Sequence, residues 1–160
     1  KMKHIIITLF TLFFAVESNA QIVKAEIIAT GLTCSMCSNS INKQLKSLPE
    51  VASVDTDLNT NTFTIILKPN TNVSPKLFKD NVEKAGFFVG SLVLFMDTNS
   101  VTNFINLEEK ELPSSKEIKV QILDKGFVTD KEFKKLSKKH KNSTTYLSNN
   151  NDTFHYKILN

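Results

Sequence analysis

Arginine and tryptophan are absent from this 160-residue chain, and cysteine, histidine, glycine and proline are scarce, at two, three, four and four residues. Each absence excludes something. All 20 basic residues are lysines, so the chain lacks the planar guanidinium fork that reads bases and grips phosphates. That argues against a dedicated nucleic-acid reader. The low glycine and proline content, with 41% hydrophobic and 22% charged residues, excludes collagen-like and disordered classes. Two cysteines only three positions apart close too small a loop to staple a fold. Their value must be chemical. The length leaves room for one ordinary domain or two very small ones.

What is present begins with a leader pattern. Lys1, Lys3 and His4 make a short basic start, and Ile5 to Val16 is a run of twelve uncharged residues. Small residues follow at Ser18-Asn19-Ala20. This order is that of a cleavable secretory signal over residues 1–20, and the apolar run is too short for a comfortable membrane span. The expectation is an exported protein, periplasmic or extracellular, with no stable membrane span after cleavage.

The remaining chain alternates between two periodicities. Val23 to Ala29 reads as a strand. Gly31 to Cys37 is a loop entering a helix, in which Ile41, Leu45 and Leu48 share one face with Cys37 a turn earlier. Pro49 ends it. Ala52, Val54, Thr56 and Leu58 alternate with polar residues as a second strand. Phe63, Ile65 and Leu67 form its hairpin partner across Asn59-Thr60-Asn61. Ser74-Pro75 is a helix start, Phe78, Val82 and Ala85 its apolar face, and Gly86 its stop. Phe87 to Phe95 is a last apolar strand. The order βαββαβ predicts a ferredoxin-like α+β sandwich over residues 21–96.

Asp97 opens a polar break, expected to be a linker over 97–102. Residues 103–160 read as a small β-rich C-terminal domain with one helix. Its strands are expected at Phe104–Leu107, Glu117–Leu123, Thr144–Leu147 and Thr153–Leu159. Thr129 or Asp130 caps the helix, with Phe133 and Leu136 inward and Lys131, Lys134, Lys135, Lys138, Lys139 and Lys141 on its outer side. Such a lysine run is ordinarily a solvated helix face.

The chemistry concentrates at Cys34 and Cys37. A pair spanning a loop and the first helical turn converges on one point, where the helix terminus offers unpaired N–H groups and partial positive charge. Both lower a thiol pKa. Two soft thiolates with no nearby imidazole or carboxylate suit Cu(I), and by the same softness Hg(II). Structural Zn(II) wants four ligands, and the segment 21–100 contains no histidine. A zinc site would need a second chain.

The run Gly31-Leu32-Thr33-Cys34-Ser35-Met36-Cys37-Ser38, the helix Ile41 to Leu48, Val51-Ala52-Ser53-Val54-Asp55 and Ala85-Gly86-Phe87 together resemble the heavy-metal-associated (HMA) domain family over residues 23–95. Its members include copper chaperones, the N-terminal domains of copper-pumping ATPases and the periplasmic mercury-binding protein. The exported location fits the last of these best. The resemblance implies that Cys34 and Cys37 are the metal ligands. Leu32 replaces the family's core methionine, a mild change. Phe87 stands where bacterial members often have tyrosine, so a hydroxyl that supports the loop is missing. The stretch from Asp124 to Val128 with Lys131 to Lys135 is similar to an extension that follows such domains in some exported bacterial proteins.

The expected function is non-enzymatic. The protein binds a soft metal ion and carries or sequesters it, handing it by thiolate exchange to a membrane metal transporter or another Cys-x-x-Cys protein. A mercury-binding protein or a thiol–disulfide oxidoreductase is the alternative. Against the latter stand the missing tryptophan before Cys34, the missing proline between the cysteines and an element order unlike thioredoxin's. Other polar and sulfur groups take ordinary roles. Met36 is expected on exposed loop, His140 and His155 toward solvent, and Asp55 and Asp57 on a strand's outer face. Phe87, Phe88 and Phe95 are expected in the core.

Overall fold

The computed structural model describes residues 22–32, 35–148 and 153–159. The leader over 1–20 and Cys34 lie outside the described residues. The elements run β1 (Ile22–Thr30), α1 (Ser35–Lys46), β2 (Val51–Asp57), β3 (Thr62–Leu67), α2 (Pro75–Lys84) and β4 (Phe88–Asp97). A 3-10 helix (Thr98–Asn103) leads to β5 (Phe104–Asn106), β6 (Glu117–Ile122), α3 (Asp130–Lys139), α4 (Thr144–Leu147) and β7 (Phe154–Leu159). The seven strands of the described residues form one sheet in the order β2-β3-β1-β4-β6-β7-β5. Its first four strands, β2-β3-β1-β4, are the ferredoxin-like sheet that the order βαββαβ requires.

Helices α1 and α2 press the same sheet face. Ile41 and Leu45 from α1, and Phe78 and Val82 from α2, are fully buried with Ala25, Ile27, Phe63, Ile65, Leu92 and Leu94. The helix α2 starts as its sequence dictates. Ser74 Oγ accepts from the Lys76 N–H, and Pro75 fills a first-turn position whose N–H would have had no helical partner. At its end Gly86 has φ +91°, and the N–H groups of Gly86 and Phe87 close back on the Glu83 and Val82 carbonyls. A residue with a Cβ is strained there.

The strand β2 departs from the expected alternation. Val51 pairs with Leu67 but Ser53 pairs with Ile66, so Ala52 is the extra residue of a bulge. The bulge shifts the pleat, and Val51 and Val54 both turn inward while Ala52 is exposed. Leu58 falls beyond the strand in the turn and is exposed as well.

The C-terminal region continues this sheet. In a four-stranded ferredoxin-like sheet β4 is an edge with unpaired N–H and C=O groups, a template for another strand. Here β6 occupies it antiparallel, with Leu92 opposite Ile122, Leu94 opposite Val120 and Met96 opposite Ile118. The strand β7 pairs antiparallel with β6 and parallel with β5. The core runs across the junction without interruption, since Ile118, Val120, Ile122, Tyr156 and Ile158 join the same apolar cluster. Positions 97–102, expected as linker, are the end of β4 and most of the 3-10 helix, whose cap is the Asp97 carboxylate accepting from Asn99.

Thr144–Leu147 is a helical turn, not the expected strand, so the region has two helices, not one. Ser143 caps the turn through the Tyr146 N–H. Packing holds it, because Tyr146 is buried in a second cluster with Leu123 and Val128, against which Phe133 and Leu136 of α3 rest. Leu123 and His155 lie opposite each other and alternate with Ile122 and Tyr156. This second cluster therefore sits on the sheet face away from α1 and α2.

Three further expectations are corrected. Phe88 is 66% exposed at the start of β4. Phe95 lies on the outer face, half-buried beneath two lysines, with Lys24 Nζ 4.2 Å and Lys119 Nζ 5.3 Å from its ring centre. His155 is fully buried instead of facing solvent, because alternation in β7 aims it into the second cluster.

Candidate metal centre

The site is built at the exit of β1. Gly31 has φ +87°, which turns the chain out of the strand at a position where L side chains are strained. A Cβ there would lie 4.0 Å from the Phe87 ring, so Phe87 sits against the turn and packs on the core beside it. Leu32 is half-buried against the same core, the kind of position that the family resemblance implied for it. The chain then enters α1, whose third residue is Cys37.

Cys37 is half-buried, Ser38 beside it is buried, and Met36 is 78% exposed. Cys37 precedes Ile41 by one helical turn, which turns its thiol toward the core side of the helix start. No acidic residue occupies the first turn of α1. The terminal N–H groups and partial positive charge are therefore not offset by a carboxylate of the same turn, the setting in which a helix start favours an anionic group. Cys34, the other expected ligand, lies outside the described residues.

The other candidate donor groups of the described residues lie elsewhere. Among the described residues no group of three or more histidine, cysteine, aspartate or glutamate side chains gathers around a point. His155 spends both ring nitrogens inside the second cluster. Its Nδ1 lies 2.8 Å from Asp124 Oδ1 and its Nε2 3.1 Å from Thr145 Oγ1, while its backbone N–H donates to Asp124 Oδ2 at 2.6 Å. Burial pushes the Asp124 carboxyl up, against the hydrogen bonds from His155 that pull it down. Tyr146 Oη donates to the Leu123 carbonyl at 2.7 Å. Burial, with the Asp124 and Glu132 charges, drives that phenol well above its ordinary range. His140 caps the end of α3 and meets the Tyr146 ring edge-on. The Asp124–Thr145–Tyr146–His155 cluster is invisible to local sequence patterns, because it forms only where the pairing of β6 with β7 sets Asp124 beside His155 and α4 packs Thr145 and Tyr146 against them.

The extension also reaches the end of the domain where β1 exits. A cleft of about 290 Å³ is lined by Thr30, Glu83, Phe88, Gly126, Thr129 and Asp130. Thr30 is the last residue of β1 before the Gly31 turn, and Thr129 caps α3. Gly126, at φ +86°, lies so close to α2 that a Cβ would fall 2.5 Å from Lys79 Cε. The loop before α3 is thus fitted against α2 and the end of β1, from which the chain turns at Gly31.

Comparison with known proteins adds the following. The family model described as heavy-metal-associated domain matches residues 26–88. No functionally curated protein matches the chain. Among solved structures, the yeast copper transporter domain Ccc2a, described in apo and Cu(I)-loaded states, is 32% identical. The match covers 41% of this chain and 88% of that one, with a TM-score of 0.37. The N-terminal domain of a potential copper-translocating P-type ATPase from Bacillus subtilis is 31% identical over 42% of this chain and 82% of its own, TM-score 0.37. The CopZ metallochaperone is 21% identical over 41% and 97%, TM-score 0.38.

Proposed function

This chain belongs to the heavy-metal-associated domain family through residues 26–88, and we propose that it binds one Cu(I) ion through the thiolates of Cys34 and Cys37 and carries or sequesters it in the cell envelope. The observation that carries the reading is Cys37 in the first turn of α1, half-buried, with no acidic neighbour in that turn. Two thiolates and one Cu(I) leave a net charge of minus one. A helix N-terminus is where such a charge is stabilised. Cu(I) accepts two soft ligands, so the pair suffices, and it needs no histidine or carboxylate from the rest of the molecule.

Two-coordination also sets the transfer step. A thiolate from a partner adds to the metal, giving a three-thiolate state, and one of the original sulfurs then leaves. The ion moves without release to solvent, and the number of metal–sulfur bonds never falls below two. Partners of this chemistry are a membrane metal transporter or another Cys-x-x-Cys protein. The export pattern of residues 1–20 adds a condition: an oxidising compartment drives the pair toward disulfide, which holds no metal.

Titration of the reduced protein with Cu(I) against a competing chelator tests the reading. One tight equivalent is expected, lost in both Cys34→Ser and Cys37→Ser. Failure of the reduced wild type to take up one equivalent overturns it. Insulin reduction with retained thermal stability, and no Cu(I) uptake, would establish the oxidoreductase alternative instead.

A further inference from the structure

The formal charge of the whole chain is +4, and the thirteen residues 129–141 carry all of it: six lysines against Asp130 and Glu132. The structure shows how that charge is displayed. At 3.6 residues per turn, Lys131, Lys134, Lys135, Lys138 and Lys139 fall within an arc of about 140° on α3. All five are exposed, as is Lys141 just beyond the helix. Among the described residues none of the six has a carboxylate within ion-pair distance. The opposite side of the helix carries Phe133 and Leu136 onto the second cluster.

This arrangement is costly to the helix. Lys131 and Lys135, Lys134 and Lys138, and Lys135 and Lys139 are each i,i+4 neighbours of like charge, which destabilises a helix where opposite charges would stabilise it. The capping of Thr129 on the Glu132 N–H and the two acids of the first turn offset part of that repulsion. A negatively charged surface offsets it further.

We propose that the lysine face of α3 docks the protein on an anionic lipid bilayer. Lysine is a compact point charge, suited to a diffuse plane of headgroup charge. The face presents no arginine fork and no aromatic ring on which a base would stack, because Phe133 is turned inward; a lipid surface fits it better than a nucleic acid. The docking rests on the charge of α3 and the way the helix displays it, and it stands whether or not the cysteines bind metal.

The test is co-sedimentation of the full chain with vesicles of 30% phosphatidylglycerol in phosphatidylcholine, with pure phosphatidylcholine as reference. Each lysine close to the surface contributes about fivefold in affinity, so Lys134→Gln with Lys138→Gln is expected to weaken binding about 25-fold. Lys43→Gln with Lys46→Gln, on α1, is expected to leave it within about twofold, and Lys134→Gln with Lys138→Gln is expected to keep or slightly raise the unfolding temperature, because it removes like-charge pairs from α3. Raising salt from 0.1 to 0.5 M releases the wild type. Equal partition onto both vesicle types overturns the proposal. So does equal sensitivity to the α1 and α3 substitutions, or tighter binding to duplex DNA than to the anionic vesicles at the same salt.

Discussion

Replacing Asp124 by alanine should unfold the C-terminal region far more readily while leaving metal binding intact. In the folded state its two oxygens accept from the backbone N–H and the ring Nδ1 of His155, at 2.6 and 2.8 Å. His155 is 1% exposed, so neither nitrogen has water to replace the carboxylate. An ionised carboxylate only accepts, so the ring nitrogen that faces it, Nδ1, carries a proton. Stranding one buried donor costs about 1–3 kcal/mol, and Asp124→Ala strands two. The expected loss is about 3 kcal/mol. With a urea slope of roughly 2 kcal/mol/M, the unfolding midpoint falls by about 1.5 M. Asp124→Asn keeps one acceptor oxygen and should lose about 1 kcal/mol. A double-mutant cycle with His155→Ala isolates the pair and should return a coupling of about 1–3 kcal/mol. Cu(I) uptake by Asp124→Ala under native conditions should equal that of wild type, because the cluster lies on the sheet face away from α1. An Asp124→Ala loss below about 0.5 kcal/mol, or a coupling near zero, refutes the argument that His155 depends on this carboxylate.

Gly86→Ala should cost about 1 kcal/mol or more, measured by the same denaturation, because φ +91° strains any Cβ although nothing within 4 Å would meet it. Backbone strain and not collision would then be the cause, and a neutral result would dismiss it. Asp57 accepts from the Asn59 N–H and the Thr60 hydroxyl, which lower its carboxyl below the ordinary 3.8. A depressed pKa contributes stability above the unfolded value and loses it as pH falls through the folded value, so the β2–β3 turn should loosen only below about pH 4. A carboxyl-carbon NMR titration of Asp57 with a midpoint at or above 3.8 would contradict this.

Much of the first domain was legible in the sequence because its signals are local. Ser74-Pro75 and Gly86 bound α2 by dihedral preference and missing N–H groups, and the structure places both where those preferences put them. Ile41, Leu45, Phe63 and Ile65 are buried as their periods require. Cys37 falls in the first turn of α1, as the loop-then-helix reading expected. Where local signals failed, a neighbour decided. One bulge at Ala52 altered a pleat that alternation had assigned wrongly, and the pocket around Tyr146 made a helical turn of Thr144–Leu147.

By itself the sequence determined the βαββαβ order, the two-cysteine spacing ahead of a helix and the lysine side of α3, since each depends on residues within a few turns of one another. Only the tertiary structure decided that β6 takes the open edge of β4, so that residues beyond Asp97 extend the first sheet instead of building another. Apolar alternation in Ile118, Val120 and Ile122 states that one face must be buried; it does not name the strand alongside. Either arrangement buries the same side chains, and the choice rests on which backbone edge is left unpaired. The same pairing made the Asp124–His155 contact and set the start of α3 beside Thr30, neither of which any local pattern encodes.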